Sequence, residues 1–361
     1  MSSEPEVGMA DHKGWKIAAE AGLKVMQIPT PFAVGRVNCY LLEDAPLTLI
    51  DVGPNSGKSL DELESGLNDL GHAIEDLELI IVTHQHIDHM GLLEIVGRRS
   101  GAEIASLDLL VPYLARFEED AEVEDQRATE VMGRNGVPED VATALQSVSR
   151  SFRAWGGNAE VTRPLADGEK LEFRDRTLEV QHRPGHSPSD TCFWDEERKI
   201  LIAADHLIAK ISSNPLLSRP LDDSSERTRA LIDYISSLKK TRELPAELVL
   251  SGHGEPILDH VPLIDERFDL YQRRAEKIYG LVESGLSTGY EISQAIWGNI
   301  AVTQAFLTIS EVVGHLDLLV EAGHVAEDSG GDLIRYTTTG DTPADRLGDL
   351  IPGGNPGRSE G

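Results

Sequence analysis

The feature that most limits what this chain can become is the run His84-Gln85-His86-Ile87-Asp88-His89, which follows, after Thr83, the apolar stretch Leu79-Ile80-Ile81-Val82. A short continuous apolar run reads as a fully buried strand, so the polar run sits where a core strand ends. Three imidazoles and a carboxylate crowded at such a place are costly as plain interior, because each polar group left without a partner costs a few kcal/mol. A divalent metal satisfies all of them together. His84 and His86, two apart on extended chain, point to one side. Asp88 and His89 fall on the following turn and can face a second ion.

The same arrangement recurs along the chain. Leu47-Thr48-Leu49-Ile50 closes on Asp51-Val52-Gly53-Pro54, and a strand over 178–182 ends at Pro184-Gly185-His186-Ser187-Pro188. A strand over 199–203 runs into Ala204-Asp205-His206, and Leu248-Val249-Leu250 ends at Ser251-Gly252-His253-Gly254. These junctions predict His186, Asp205 and His253 as the remaining ligands. Asp205 can bridge two ions through its carboxylate, although an Asp there also suits a helix N-cap. The glycines around His253 give the backbone freedom to approach an ion closely. His206, next to Asp205, is a candidate for a supporting role beside the ligands, with plain structural hydrogen bonding as the other reading. His182 reads as structural, and His12, His72, His260, His315 and His324 stand in no constellation.

Between the junctions the pattern turns helical. Leu60, Leu63, Leu67 and Leu70 recur at spacings of three and four before Gly71, and a helix over 92–99 opens directly after the ligand run. From 109 to about 154 the chain is long, acidic and helical, which predicts an insertion within a domain spanning 23–260. Another helix is expected around 227–238. Beyond Pro262 helices alone remain, through 275–282, 292–297 and 303–322; then 323–326 and 333–336, parted by Gly330-Gly331, read as a hairpin. Three helices and a hairpin over 261–340 resemble a winged helix. The segments 1–22 and 341–361 read as flexible ends.

Composition narrows the partners. With 62 acidic against 33 basic residues the net charge is −29, which repels phosphate backbones and anionic membranes. The third C-terminal helix has no Lys or Arg between Thr303 and Ala322 but carries Glu311, Asp317 and Glu321. A groove-binding helix needs cations to displace counterions, so the small domain is expected to act as a lid or subunit interface, with no DNA bound. Two cysteines, Cys39 and Cys192, are too few for a disulfide framework and read as buried thiols. The acidic N-terminal stretch lacks a signal-peptide core and no apolar run reaches a membrane span, so a cytoplasmic location and no membrane partner are expected.

Taken in order, these residues resemble the five sequence motifs of the metallo-β-lactamase superfamily over about residues 23–260: Asp51, then His84 to His89, then His186, Asp205 and His253. The resemblance implies an αβ/βα sandwich, an α/β fold with two facing sheets and helices outside. It implies His84, His86 and His186 on one metal ion, Asp88, His89 and His253 on the other, Asp205 bridging, and Asp51 ordering the ligand loops without touching metal. Asp at the fourth motif, where secreted zinc β-lactamases carry Cys, is similar to glyoxalase II-like thioesterases, lactonases and phosphodiester-cleaving members.

The implied chemistry is hydrolysis of a small ester, thioester or lactone by a metal-bridging hydroxide, with Asp88 orienting the water and moving a proton. Zinc is the expected metal, and a ligand set of nitrogen and carboxylate also suits iron or manganese. The alternatives are a phosphodiesterase or endoribonuclease and an iron-dependent enzyme resembling persulfide dioxygenases.

Overall fold

The apolar runs that precede the ligand loops become buried strands of two sheets. The computed structural model describes residues 12–221, 227–340 and 347–352. In the first sheet β1 (Leu23–Ile28), β2 (Val37–Leu42), β3 (Thr48–Ile50), β4 (Leu79–Val82), β5 (Glu103–Leu107) and β6 (Arg163–Leu165) lie side by side in chain order. The pairs β1–β2 and β2–β3 are antiparallel, and those from β3 to β6 are parallel. The second sheet has the order β11-β10-β9-β8-β7, from β7 (Lys170–Glu172), β8 (Thr177–His182), β9 (Thr191–Asp195), β10 (Ile200–Ala204) and β11 (Leu248–Ser251). Only its β10–β11 pair is parallel.

The facing sides of the sheets close over one core, with Tyr40, Ile50 and Ile81 from the first against Val180, Phe193, Ile202 and Leu250 from the second. Strand β9 shows how the alternation is spent. Phe193 enters this core, while Cys192 and Trp194 point to the opposite side and join the next layer. Cys39 and Cys192 are both buried free thiols, as expected.

Helices cover both outer faces. Against the first sheet pack α2 (Gly57–Asp69), the short α3 (Ile87–Met90), α4 (Leu93–Ser100) and α5 (Val111–Ala115), contributing Leu63, Leu67, Met90, Val96 and Leu114 to a second buried cluster. The helical insertion forms as α6 (Phe117–Arg134) and α7 (Glu139–Phe152). Over the second sheet lie α8 (Ala230–Arg242), α9 (His260–Glu283), α10 (Gly289–Trp297), α11 (Ile300–Thr303) and α12 (Ala305–Glu321). The antiparallel hairpin of β12 (Val325–Asp328) and β13 (Arg335–Thr338) follows, then a single turn, α13 (Leu347–Leu350).

Several expectations need correction. Of the flexible start read over 1–22, residues 1–11 lie outside the described residues, but Lys13–Glu20 form a helix, α1, whose Trp15 and Ala18 are buried against the inter-sheet core. The His12 side chain caps it by accepting from the Gly14 amide at 3.1 Å. Of the tail read over 341–361, residues 341–346 and 353–361 lie outside the described residues, yet Leu347 and Ile351 are buried. Three strands, β5, β6 and β9, escaped the periodicity reading. Strand β6 is three residues long and contains Pro164, which a sheet tolerates at an edge, and β6 is the edge strand.

The boundary drawn at 260 separates no cores. Trp194, Leu201 and Val249 of the second sheet, Tyr234 and Leu238 of α8, Phe268 and Ile278 of α9, and Leu316 and Leu319 of α12 form one continuous buried cluster. Helix α12, third in the expected winged-helix order, is central to it: Val312, Leu316 and Leu319 have no exposure, and Arg227 grips Asp317 through two guanidinium nitrogens. A smaller cluster joins Val131 and Met132 of α6 to Ile309 and Val313 of α12.

Candidate metal centre

All seven predicted ligands meet at the ends of β4, β8, β10 and β11, where the two sheets share an edge. On one side His84 Nε2 lies 3.0 Å from His86 Nδ1, which lies 2.9 Å from His186 Nε2. Asp205 Oδ2 stands 3.5 Å from His186 Nε2. Nitrogens held by one tetrahedral ion at 2.0–2.1 Å are about 3.3 Å apart, so this cluster has the spacing of a ligand set. One proton cannot serve His86 Nδ1 toward both neighbours, whereas lone pairs converging on a cation need none.

The second group is Asp88, His89 and His253. Asp88 Oδ2 is 3.3 Å and Asp205 Oδ2 3.4 Å from His253 Nε2, and His89 Nε2 is 3.4 Å from Asp205 Oδ1. Ligand atoms within each group lie within 4.8 Å of one another. Asp205 reaches into both groups, as a bridging carboxylate must. The test of fit lies in the orphaned atoms: His89 Nε2 and Asp205 Oδ1 are buried without a hydrogen-bond partner, a cost that a cation between them would remove.

Asp51 lies behind the candidate ligands, in contact with Thr83 and His89. Its Oδ1 accepts from the Thr83 amide at 2.9 Å, and its Oδ2 accepts from the Thr83 hydroxyl at 2.8 Å and from His89 Nδ1 at 2.7 Å. With Nδ1 protonated toward Asp51, the lone pair of His89 is forced onto Nε2, facing the centre. His253 is oriented in the same way, its Nδ1 donating to the Arg36 carbonyl at 2.9 Å. Asp51 holds φ 59° and Ala204 φ 44°, left-handed values that turn the chain sharply at the ends of β3 and β10.

Burial and charge set opposite protonation in the two groups. Burial, reinforced by His89 and His86, holds His84 well below the usual imidazole range, and burial together with His186 pushes His86 down to about 3. Both are neutral and ready to bind a cation. For His253 burial opposes the charged form, but Asp205 and Asp88 outweigh it and raise the pKa to about 10. His89 is likewise raised, against its burial, by Asp205 and Asp51. Burial alone would raise Asp205, yet His253 and His89 hold it well below the ordinary carboxylate range. Without an ion, the neighbouring carboxylates favour protons on His253 and His89, which a bound cation would displace.

His206 does not join the ligands. Its Nε2 pairs with Thr241 Oγ1 on α8 at 2.8 Å, its carbonyl accepts from Tyr234 Oη at 2.7 Å, and its other ring nitrogen has no hydrogen-bond partner. This corrects its place beside Asp51: it braces the chain after β10 against α8. His182 is structural, its Nε2 meeting the Pro188 carbonyl at 2.9 Å behind the His186 turn.

The sequence reading missed the residues that fasten the His253 loop. Asn38 Nδ2 donates to the Ser251 carbonyl at 2.8 Å and to that of Gly254 at 3.0 Å, and Tyr40 Oη donates to the Ser251 carbonyl at 2.5 Å. The signal was present as a polar Asn within the apolar strand Val37–Leu42. Gly252 is required by close approach: a Cβ there would lie 2.1 Å from Asp205 Oδ1 and 2.9 Å from His89 Cε1.

Two sandwiched sheets with a histidine-aspartate centre on their shared edge define a class of metallohydrolase. The chain belongs to the metallo-beta-lactamase superfamily, whose family model matches residues 33–253. It is 30% identical over 313 residues to the probable metallo-hydrolase YqjP of Bacillus subtilis, covering 87% of this chain and 97% of that protein. It is 30% identical over 232 residues to the human acyl-coenzyme A thioesterase MBLAC2, covering 60% of this chain and 73% of that one. Among solved structures, a metallo-beta-lactamase family protein of Thermus thermophilus superposes with a TM-score of 0.72 at 27% identity, covering 88% of this chain and 98% of that chain. The protein is a metal-dependent hydrolase by family.

Proposed function

We propose that this protein hydrolyses a small-molecule thioester at a centre of two divalent ions, with zinc the first candidate. The observation that carries the proposal is Asp205, whose two carboxylate oxygens reach His89 and His253 on one side and His186 on the other. Likeness to the acyl-coenzyme A thioesterase supports a thioester ahead of a simple ester or lactone.

His84, His86 and His186 would hold one ion and Asp88, His89 and His253 the other. Bound there, the pair supplies a nucleophile from water near neutral pH and polarises the acyl oxygen. The chain's own residues do the remainder. Asp51 and the Arg36 carbonyl keep His89 and His253 in the tautomers that face the centre. Asp88, 6% exposed, has a second oxygen beside the one facing His253, so it can orient water and carry a proton to the departing thiolate.

Zinc-, manganese- and iron-loaded protein should be assayed against thioesters, esters, lactones and phosphodiesters. Thioester turnover is expected, with Asp88→Asn retaining at least one ion and losing most activity. Turnover of phosphodiesters alone, or oxygen consumption by the iron form without hydrolysis, would overturn the proposal. The acidic surface and the buried α12 support a protein that binds no DNA. Among the described residues no helix is long and apolar enough to cross a membrane. A homo-oligomer formed through the C-terminal helices, in a cytoplasmic setting, completes the proposal.

A further inference from the structure

Just past the bridging carboxylate the chain enters a cavity that the ligand set does not use. Ser213 Oγ donates to the backbone carbonyl of Asp205, and its neighbour Ser212 Oγ lies 3.0 Å from Tyr271 Oη on α9. Between this segment and α9, α11 and α12 is a cavity of about 340 Å³. That is the lower end of the range for small-molecule sites. Leu270, Tyr271, Trp297, Ile300 and Leu307 supply its apolar lining.

Two observations say what would fill it. Ile300 is 51% and Leu307 40% exposed, so two large apolar side chains of the lining stand open to solvent beside the segment that follows Asp205. Among the described lining residues there is no Lys or Arg, and Glu311 is in the wall. The neighbouring cation, Arg274, is spent on the Trp297 ring at 4.8 Å and on Glu311 at 3.9 Å. A phosphate or carboxylate would meet Glu311 and no cation here, only neutral donors such as Asn214 and Gln304, while an uncharged alkyl chain would bury the apolar side of the cavity at no cost in unpaired charge.

We infer that this cavity holds the acyl chain of the substrate, selecting a medium-length, unbranched acyl group whose carbonyl lies at the metal centre. This rests on the thioester reading and deepens it. The charged remainder of a thiol carrier lies outside the cavity, because Glu311 and no cation stand among its described lining residues.

The test is a series of thioesters from acetyl to dodecanoyl on metal-loaded protein, together with a non-hydrolysable decyl thioether followed by tryptophan fluorescence. In the native chain kcat/KM should rise about two- to fourfold per added methylene until the cavity is full. Ile300→Trp and Leu307→Glu alter exposed positions, so the fold should survive, as circular dichroism can check. Each should lower the decanoyl-to-butanoyl ratio of kcat/KM at least tenfold and weaken thioether binding to a similar degree. In Trp297→Phe the fluorescence change on thioether binding should be lost. Thioester turnover with a chain-length ratio unmoved by both variants would overturn the inference while leaving the hydrolase reading intact. Thioether binding that the variants abolish, without turnover of any thioester, would keep the cavity and overturn the reaction instead.

Discussion

Replacing Asp51 by Asn isolates the orientation of a ligand from its presence. The backbone should tolerate the change, since Asp51 sits at φ 59° and Asn is among the residues that adopt left-handed geometry. The side chain does not. If the amide oxygen takes the Oδ1 position, it still accepts from the Thr83 amide, but the NH2 then faces His89 Nδ1 at the 2.7 Å contact. His89 must then accept through Nδ1 and carry its proton on Nε2, the atom meant for the ion. If the amide is flipped, NH2 meets the Thr83 N–H and leaves a buried donor unpaired, costing about 1–3 kcal/mol. Losing a partner of this kind lowers metal affinity or activity about 10–100-fold, equivalent to about 1.4–2.8 kcal/mol. The assay is metal content after dialysis against graded chelator, alongside thermal unfolding of metal-free and metal-loaded protein. The stabilisation conferred by metal should shrink more than the melting temperature of the metal-free form falls. Metal affinity within twofold of the native protein would refute the tautomer argument.

Gly252→Ala should destabilise by about 1–3 kcal/mol and cost metal, because its Cβ would lie 2.1 Å from Asp205 Oδ1; denaturant titration and metal analysis check both. Loading metal near neutral pH should release protons from His253, raised to about 10, and from His89, measurable by calorimetry in buffers of differing ionisation enthalpy. For the metal-free form the His253 contribution is fully present below its ordinary value of 6.5 and is lost as pH rises through about 10, so stability should fall across that window. Stability rising over the same range would contradict the assignment. Ending the chain at residue 260 should abolish cooperative unfolding, because it uncovers Tyr234, Leu238 and Val249. The full chain should show no salt-sensitive binding to random duplex DNA at micromolar concentration.

The candidate ligands stood out in the sequence because each lies in a segment that follows an apolar run, and polar residues clustered at the ends of buried strands are costly as plain interior. Spacing also carried the first pair, since alternation along extended chain put His84 and His86 on one side and they meet at 3.0 Å. His206 was illegible for the opposite reason. One residue past Asp205 the chain has turned, and which way a ring then faces depends on α8, some thirty-five positions on, where Thr241 receives it.

What the sequence determined alone was local: strands long and apolar enough to be buried, the donor types at their ends, and a strongly acidic net charge. What only the tertiary structure decided was who shares a core with whom. Helix α12 has the composition of ordinary amphipathic packing, and nothing in its residues says that α6, α8, α9 and α10 all close on it, or that residues 260–340 and 347–351 complete the face of the second sheet. Burial against distant segments is a sum over contacts that no single window of sequence contains. The hydrogen bonds from Asn38 and Tyr40 to the Ser251 carbonyl, across more than two hundred residues, exist for the same reason.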